Sequence, residues 1–151
     1  MPVRHLLSRK SRTFVAKMQE AVSYKAQIAH ILEDEKQFLD PLFTATRLAA
    51  RLGVPNYTLS RILHHTYGMN YTRIVHHLRV QEAMRLLKDR RYDPYSIDDI
   101  GMMSGFHNRQ SFFAAFKRST GFTPDKLRTA AKDECALQTK EHTHSSTHHA
   151  T

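Results

Sequence analysis

The feature that most restricts the fold of this chain is a pattern that occurs twice. Leu48, Ala49 and Gly53, then Leu59, Leu63 and Gly68, repeat as Ile100, Gly101 and Gly105, then Phe112, Phe116 and Gly121. The offset is 52 residues up to the turn and 53 after it, so the second copy carries one extra residue in the turn. Self-similarity at a fixed offset marks a repeated supersecondary unit. Each copy reads as a short helix, a tight turn at a glycine, a second helix and a stop at another glycine. That is the plan of a helix-turn-helix, whose second helix fits a DNA major groove, although a helical hairpin that only packs can use it too. The repetition favours recognition. Two such units in one chain can place two recognition helices in successive major grooves, which recur on one side of B-DNA about 34 Å apart.

The second copy, residues 96–124, shows the local signals most clearly. Ser96 is placed to cap a helix and Asp99 to close a capping box, and Asp98 and Asp99 in the first turn suit the helix dipole. Ile97, Ile100 and Met102 or Met103 then fall on one face at helical spacing. Gly105 can adopt the left-handed conformation that ends a helix, and Asn108 can cap the next. That helix has Phe112, Phe113 and Phe116 on an apolar side and Arg109, Gln110 and Lys117 on a polar one. In the first copy Thr44 caps the opening helix. Pro55 and Asn56 start the recognition helix, with proline near its first position and asparagine near its cap. Gly101, where the first copy has Ala49, should cost about 1 kcal/mol of helix propensity. A cost of that kind marks a place where two helices approach closely.

The rest of the chain sets the frame. Only 5 Gly and 5 Pro in 151 residues, with no alternating β-branched runs, predict an all-α protein. The fold class is two helix-turn-helix subdomains, homeodomain-like three-helix units, joined by a long linker helix. Residues 70–88 supply that linker, with Tyr71, Ile74, Val75, Leu78, Ala83, Leu86 and Leu87 as its buried stripe; Arg79 at the stripe's edge is expected in a structural ion pair. At 1.5 Å per residue such a helix spans roughly 28 Å. Residues 1–22 form a basic arm, with a helical reading from Thr13 onward. Residues 23–39 read as a covering helix ended by Asp40-Pro41, and 132–151 as a disordered tail rich in histidine, after a short final helix that starts at Pro124. The DNA-binding domain occupies 23–131, with helix-turn-helix units at about 44–66 and 96–120.

Charge and chemistry narrow the function. Lys and Arg number 23 against 14 Asp and Glu, a net +9, which favours a polyanionic partner, nucleic acid before an acidic membrane surface. A single cysteine, Cys135, allows no internal disulfide and suits a reducing cytoplasm. No apolar run approaches the ~20 residues of a membrane span. There is no Gly-rich phosphate loop, no HExxH and no organised carboxylate pair, so an enzyme is not expected, nor any cofactor. His142, His144, His148 and His149 could hold a divalent metal only weakly, and no metal site is expected.

The outward residues of the two second helices are the candidate DNA contacts. In the first these are Asn56, Tyr57, Ser60, Arg61 and His64. In the second they are His107, Asn108, Arg109, Gln110, Phe113, Ala114 and Lys117. Arg61 and Arg109 have the geometry to pair with the O6 and N7 of guanine, and Gln110 with adenine; Lys117 and Arg118 suit phosphates.

Thr44 with Leu48-Ala49, the Gly53-Val54 turn, Leu59-Ser60-Arg61, Gly68, Leu78-Arg79 and Leu86-Leu87, followed by Ile100, Gly105-Phe106, Phe112, Phe116-Lys117, Gly121, Thr123-Pro124 and Arg128, resemble the AraC/XylS-type DNA-binding domain over about residues 43–128. The resemblance implies a seven-helix domain that binds promoter DNA as a transcription regulator. It implies base-facing roles for Tyr57, Ser60 and Arg61, then for Arg109, Gln110, Phe113 and Ala114. Phe113 and Ala114 depart from the polar residues usual there, and Gly101 from the usual alanine. Only some forty residues precede the motif, too few for the separate effector-binding or dimerisation domain that members usually carry. The expected partners are therefore double-stranded DNA and, as a candidate, RNA polymerase, with no small-molecule effector domain and no membrane. The competing reading is a protein-interaction module of the same descent, docking on polymerase or another regulator without reading bases.

Overall fold

The computed structural model describes residues 8–144, the last four by backbone alone. Seven α-helices and no strand occur among the described residues: α1 (Arg9–Ala29), α2 (Ala45–Leu52), α3 (Asn56–Tyr67), α4 (Tyr71–Lys88), α5 (Ile97–Met103), α6 (Arg109–Thr120) and α7 (Pro124–His144). The all-α expectation holds, as does the order of the two repeats. The chain divides into two compact units, Met1–Val75 and His76–Thr151, with the boundary inside α4.

In the first unit the end of α1 packs on α2 and α3. Ile28, Ile31, Leu32, Phe38, Phe43, Leu48, Ala49, Leu52, Leu59, Leu63, Ile74 and Val75 are its buried apolar residues. The covering helix differs from its predicted form. α1 begins at Arg9, inside the expected basic arm, gives way to a π turn at His30–Asp34 and stops at Lys36, which is left-handed at φ 54°. Phe38 turns back into the core on a single 3-10 turn, and Glu35 is freed to make two hydrogen bonds with Arg51 on α2, at 2.7 and 2.8 Å. The Arg51 guanidinium lowers the Glu35 carboxyl below its ordinary value. Toward its start α1 leaves Phe14, Val15, Met18 and Val22 exposed. Arg4 of the predicted arm lies outside the described residues.

The core of the second unit joins Val80, Ala83, Leu86 and Leu87 of α4 to Ile97, Ile100, Phe106, Phe112, Ala115 and Phe116. Val80 is buried although the predicted stripe omitted it, and Leu78 and Tyr71 are half-buried. Met102 and Met103 are exposed at 68% and 39%, against the expectation that one of them lines the core. The buried neighbours of Ile100 are Gly101 and Ser104, whose hydroxyl donates to the Ile100 carbonyl at 2.7 Å. Arg79 is 8% exposed, with its guanidinium 5.9 Å from the centroid of Phe106.

The tail needs a correction. α7 is neither short nor finished by residue 131: it continues through Lys132 to His144, with 21 residues. Ala130, Ala131, Glu134, Ala136, Leu137, Gln138 and Lys140 are all good helix formers, so propensity sustains the far end of α7, which has no buried residue among those described. His148 and His149 of the predicted tail lie outside the described residues.

Candidate nucleic-acid interface

Both turns are built by the same backbone bonds. The Val54 N–H donates to the Ala49 carbonyl and the Gly53 N–H to that of Ala50, at 3.0 and 3.1 Å; the Phe106 N–H donates to Gly101 and the Gly105 N–H to Met102, at 3.1 and 3.0 Å. This is the closing pattern of a helix that ends in a left-handed glycine, and Gly53 and Gly105 have φ of 69° and 92°. The extra residue of the second copy therefore comes after Phe106, where His107-Asn108 replaces Pro55 alone.

The recognition helices then start differently. Pro55, not Asn56, holds the cap position of α3; it makes no side-chain cap, and Asn56 is the first helical residue. Asn108 caps α6 as expected, its side chain accepting from the Ser111 N–H at 2.8 Å. That bond engages one of the two lone pairs of its oxygen.

A third contact anchors the residue just ahead of each unit's first helix. The Tyr71 hydroxyl donates to the Phe43 carbonyl at 2.6 Å, and Arg128 Nη1 donates to the Tyr95 carbonyl at 2.8 Å. Phe43 and Tyr95 are equivalent in the repeat, each just before the capping Thr44 or Ser96. The two caps are formed: Thr44 accepts from Arg47 N–H, and Ser96 and Asp99 close the full capping box.

On α3 the predicted residues Asn56, Tyr57, Ser60, Arg61 and His64 are all exposed, Tyr57 at 70%. Asn56 is engaged, donating from Nδ2 to the Thr46 hydroxyl on α2 at 3.3 Å. On α6 and the residues before it, His107, Asn108, Arg109, Gln110, Ala114 and Lys117 are exposed. Phe113 is half-buried, packed on the core and edge-on to Phe112 at 5.7 Å. It therefore serves the apolar side as much as the outward one. Arg109 is not a loose side chain. Its Nη1 pairs with Asp98 on α5, and its guanidinium lies 4.3 Å from the centroid of Phe113. From periodicity alone, Asp98 reads only as a charge at a helix start. The signal was present, since Thr46 and Asp98 are equivalent at offset 52 and Asn56 and Arg109 at offset 53. Each pair joins the first residue of a recognition helix to the second residue of the helix before it.

A sequence model of the helix-turn-helix domain family matches residues 48–130, more than half of the chain. The chain belongs to the AraC-type helix-turn-helix family, whose members are DNA-binding transcription regulators. Three solved structures share its fold. One is the C-terminal domain of the two-component response regulator yesN from Fusobacterium nucleatum, at 24% identity and TM-score 0.61, covering 70% of this chain and 98% of that one. Another is the DNA-binding domain of AdpA, a global transcriptional factor, in complex with a target DNA, at 24% identity and TM-score 0.61, covering 76% and 94%. A third is an AraC-type transcriptional regulator from Chromobacterium violaceum, at 20% identity and TM-score 0.58, covering 77% and 96%. No curated protein matches the chain. No helix among the described residues is long and apolar enough to cross a membrane.

Proposed function

We propose that this protein is a sequence-specific regulator of transcription that sets α3 and α6 into successive major grooves of promoter DNA. The observation that carries the reading is the outward face of α3. Tyr57, Ser60, Arg61 and His64 stand exposed along it, and none of the four side chains makes a hydrogen bond or ion pair among the described residues. Arg61 matches a guanine edge and Ser60 any base edge, while Tyr57 can meet a thymine methyl or a phosphate. On α6, Gln110 and Arg109 are the base readers, and His107, Asn108 and Lys117 lie where phosphates pass. Ala114 offers only apolar contact, so the second head reads fewer bases than the first. On this reading the compartment is the cytoplasm and RNA polymerase is the second partner.

Selection from a random double-stranded DNA pool at about 0.15 M salt tests this. The expected result is a motif of two short half-sites about one helical turn apart. A single half-site would restrict base reading to one unit. Recovery of no motif, with binding lost steeply as salt rises, would overturn base reading and leave backbone affinity alone.

A further inference from the structure

In both units the first residue of the recognition helix reaches back to the helix before it, but the chemistry of the two contacts differs. The first unit joins two neutral groups, Asn56 and Thr46. The second joins opposite charges, Arg109 and Asp98, with side chains 60% and 50% exposed. A surface ion pair of this kind adds little to folding stability. Its larger consequence is for Arg109. An arginine beside DNA can meet a base edge or a phosphate, and a phosphate contact positions without specifying. A carboxylate on the same guanidinium offsets its charge and repels a phosphate. The edge of guanine carries no net charge and is not repelled in that way. Phe113 adds the second constraint, because its ring lies against the guanidinium, 4.3 Å from centroid to Cζ, and limits where that group can swing. The donors not taken by Asp98 stay open, since no other hydrogen bond or ion pair engages Arg109 among the described residues.

We propose that Asp98 is a specificity-determining positioning residue. It holds the Arg109 guanidinium over Phe113 and keeps phosphate away, so that Arg109 is restricted to a base edge in the second half-site. The inference rests on the two-headed reading above. Arg61 on α3 has no such carboxylate partner and serves as the internal reference.

The test compares the full chain with Asp98→Asn and Asp98→Glu, by random-pool selection and by titration of duplex DNA across a salt series. Asp98→Asn should bind random duplex more tightly. Its plot of log affinity against log salt should steepen by about 0.9, the signature of one added phosphate contact. Preference at one base pair of the second half-site should fall roughly tenfold, with the first half-site unchanged. Asp98→Glu should restore both. If the wild-type chain selects no motif, the two-headed reading fails and this inference with it. If the wild-type motif appears and Asp98→Asn leaves salt slope and preference unchanged, this inference alone is overturned, whatever happens to the melting temperature. Sharper preference in Asp98→Asn would also overturn it, since Asp98 would then be withholding Arg109 from the base.

Discussion

The ring of Phe112 stands where a β-carbon of residue 101 would be. A Cβ built on Gly101 would lie 2.5 Å from Phe112 Cδ1 and 2.9 Å from Cγ. Phe112 cannot yield easily, since it is fully buried, with Phe106 5.1 Å away and Phe116 5.7 Å away, centroid to centroid. The first unit solves the same packing problem the other way, with Ala49 opposite a smaller residue, Leu59, in the equivalent register. Gly101→Ala should gain about 1 kcal/mol of helix propensity and lose roughly 2–3 kcal/mol to overpacking, a net destabilisation of about 1–2 kcal/mol. Gly101→Ala with Phe112→Leu should be more stable than the sum of the single changes allows. Denaturant unfolding of the four proteins measures that coupling. Additive losses would mean that the ring moves aside freely.

The proposed DNA contacts separate by kind. Arg61→Ala should cost about 1–3 kcal/mol at the selected site and relax preference at one base pair. Lys117→Ala should weaken binding to all sequences alike and reduce the salt slope by about 1. Titration on selected and scrambled duplexes distinguishes the two patterns. Uniform weakening by Arg61→Ala would demote it to a phosphate contact.

The fold was legible because its punctuation is local. Gly53, Gly68, Gly105 and Gly121 all have positive φ at the places where the repeat stops a helix, and Ser96, Asp99, Thr44 and Asn108 cap where their side chains suggest. What escaped depends on neighbours distant in sequence. Phe113 has an outward register yet is half-buried, because Arg109 and the core claim its two faces. The Asp98–Arg109 pair crosses eleven residues and two helices, so helix-by-helix periodicity does not expose it. The break at Lys36 likewise follows from packing Phe38 rather than from any glycine or proline at that point.

The hydrogen bond from Tyr71 to the Phe43 carbonyl predicts a specific loss. Tyr71→Phe keeps the ring and removes the donor, leaving a part-buried carbonyl unpaired, at a cost of about 1 kcal/mol. Thermal unfolding should show it without a change in base preference. No loss of stability would mean that water replaces the hydroxyl at that carbonyl.

Residues 139–151 carry no predicted DNA contact. Their deletion should leave site affinity unchanged while reducing helical signal in far-ultraviolet dichroism, because α7 extends to His144. A drop in affinity would assign the end of α7 a part in binding.

The last prediction concerns pH. His76 on α4 is half-buried, its Nδ1 has no partner, and its ring packs 5.5 Å from Phe106. Burial, then the charges of Arg79 and Arg118, lower its pKa from the ordinary 6.5. Below pH 6.5 the unfolded chain therefore binds a proton at this position that the folded chain resists. The stability contributed by neutral His76 is complete above that pH and is lost as pH falls from 6.5 towards the folded value. Asp89, lowered to about 2 by hydrogen bonds from Arg91, acts in a separate window, below the ordinary carboxylate range. The melting temperature should thus begin to fall as pH drops through 6.5, well before the carboxylates titrate. His76→Gln, which cannot take up the proton, should flatten the curve in that interval and leave the acid limb in place. Following the His76 ring by NMR should show its titration midpoint below 6.5. Parallel curves for the two proteins would assign the pH dependence to the other histidines.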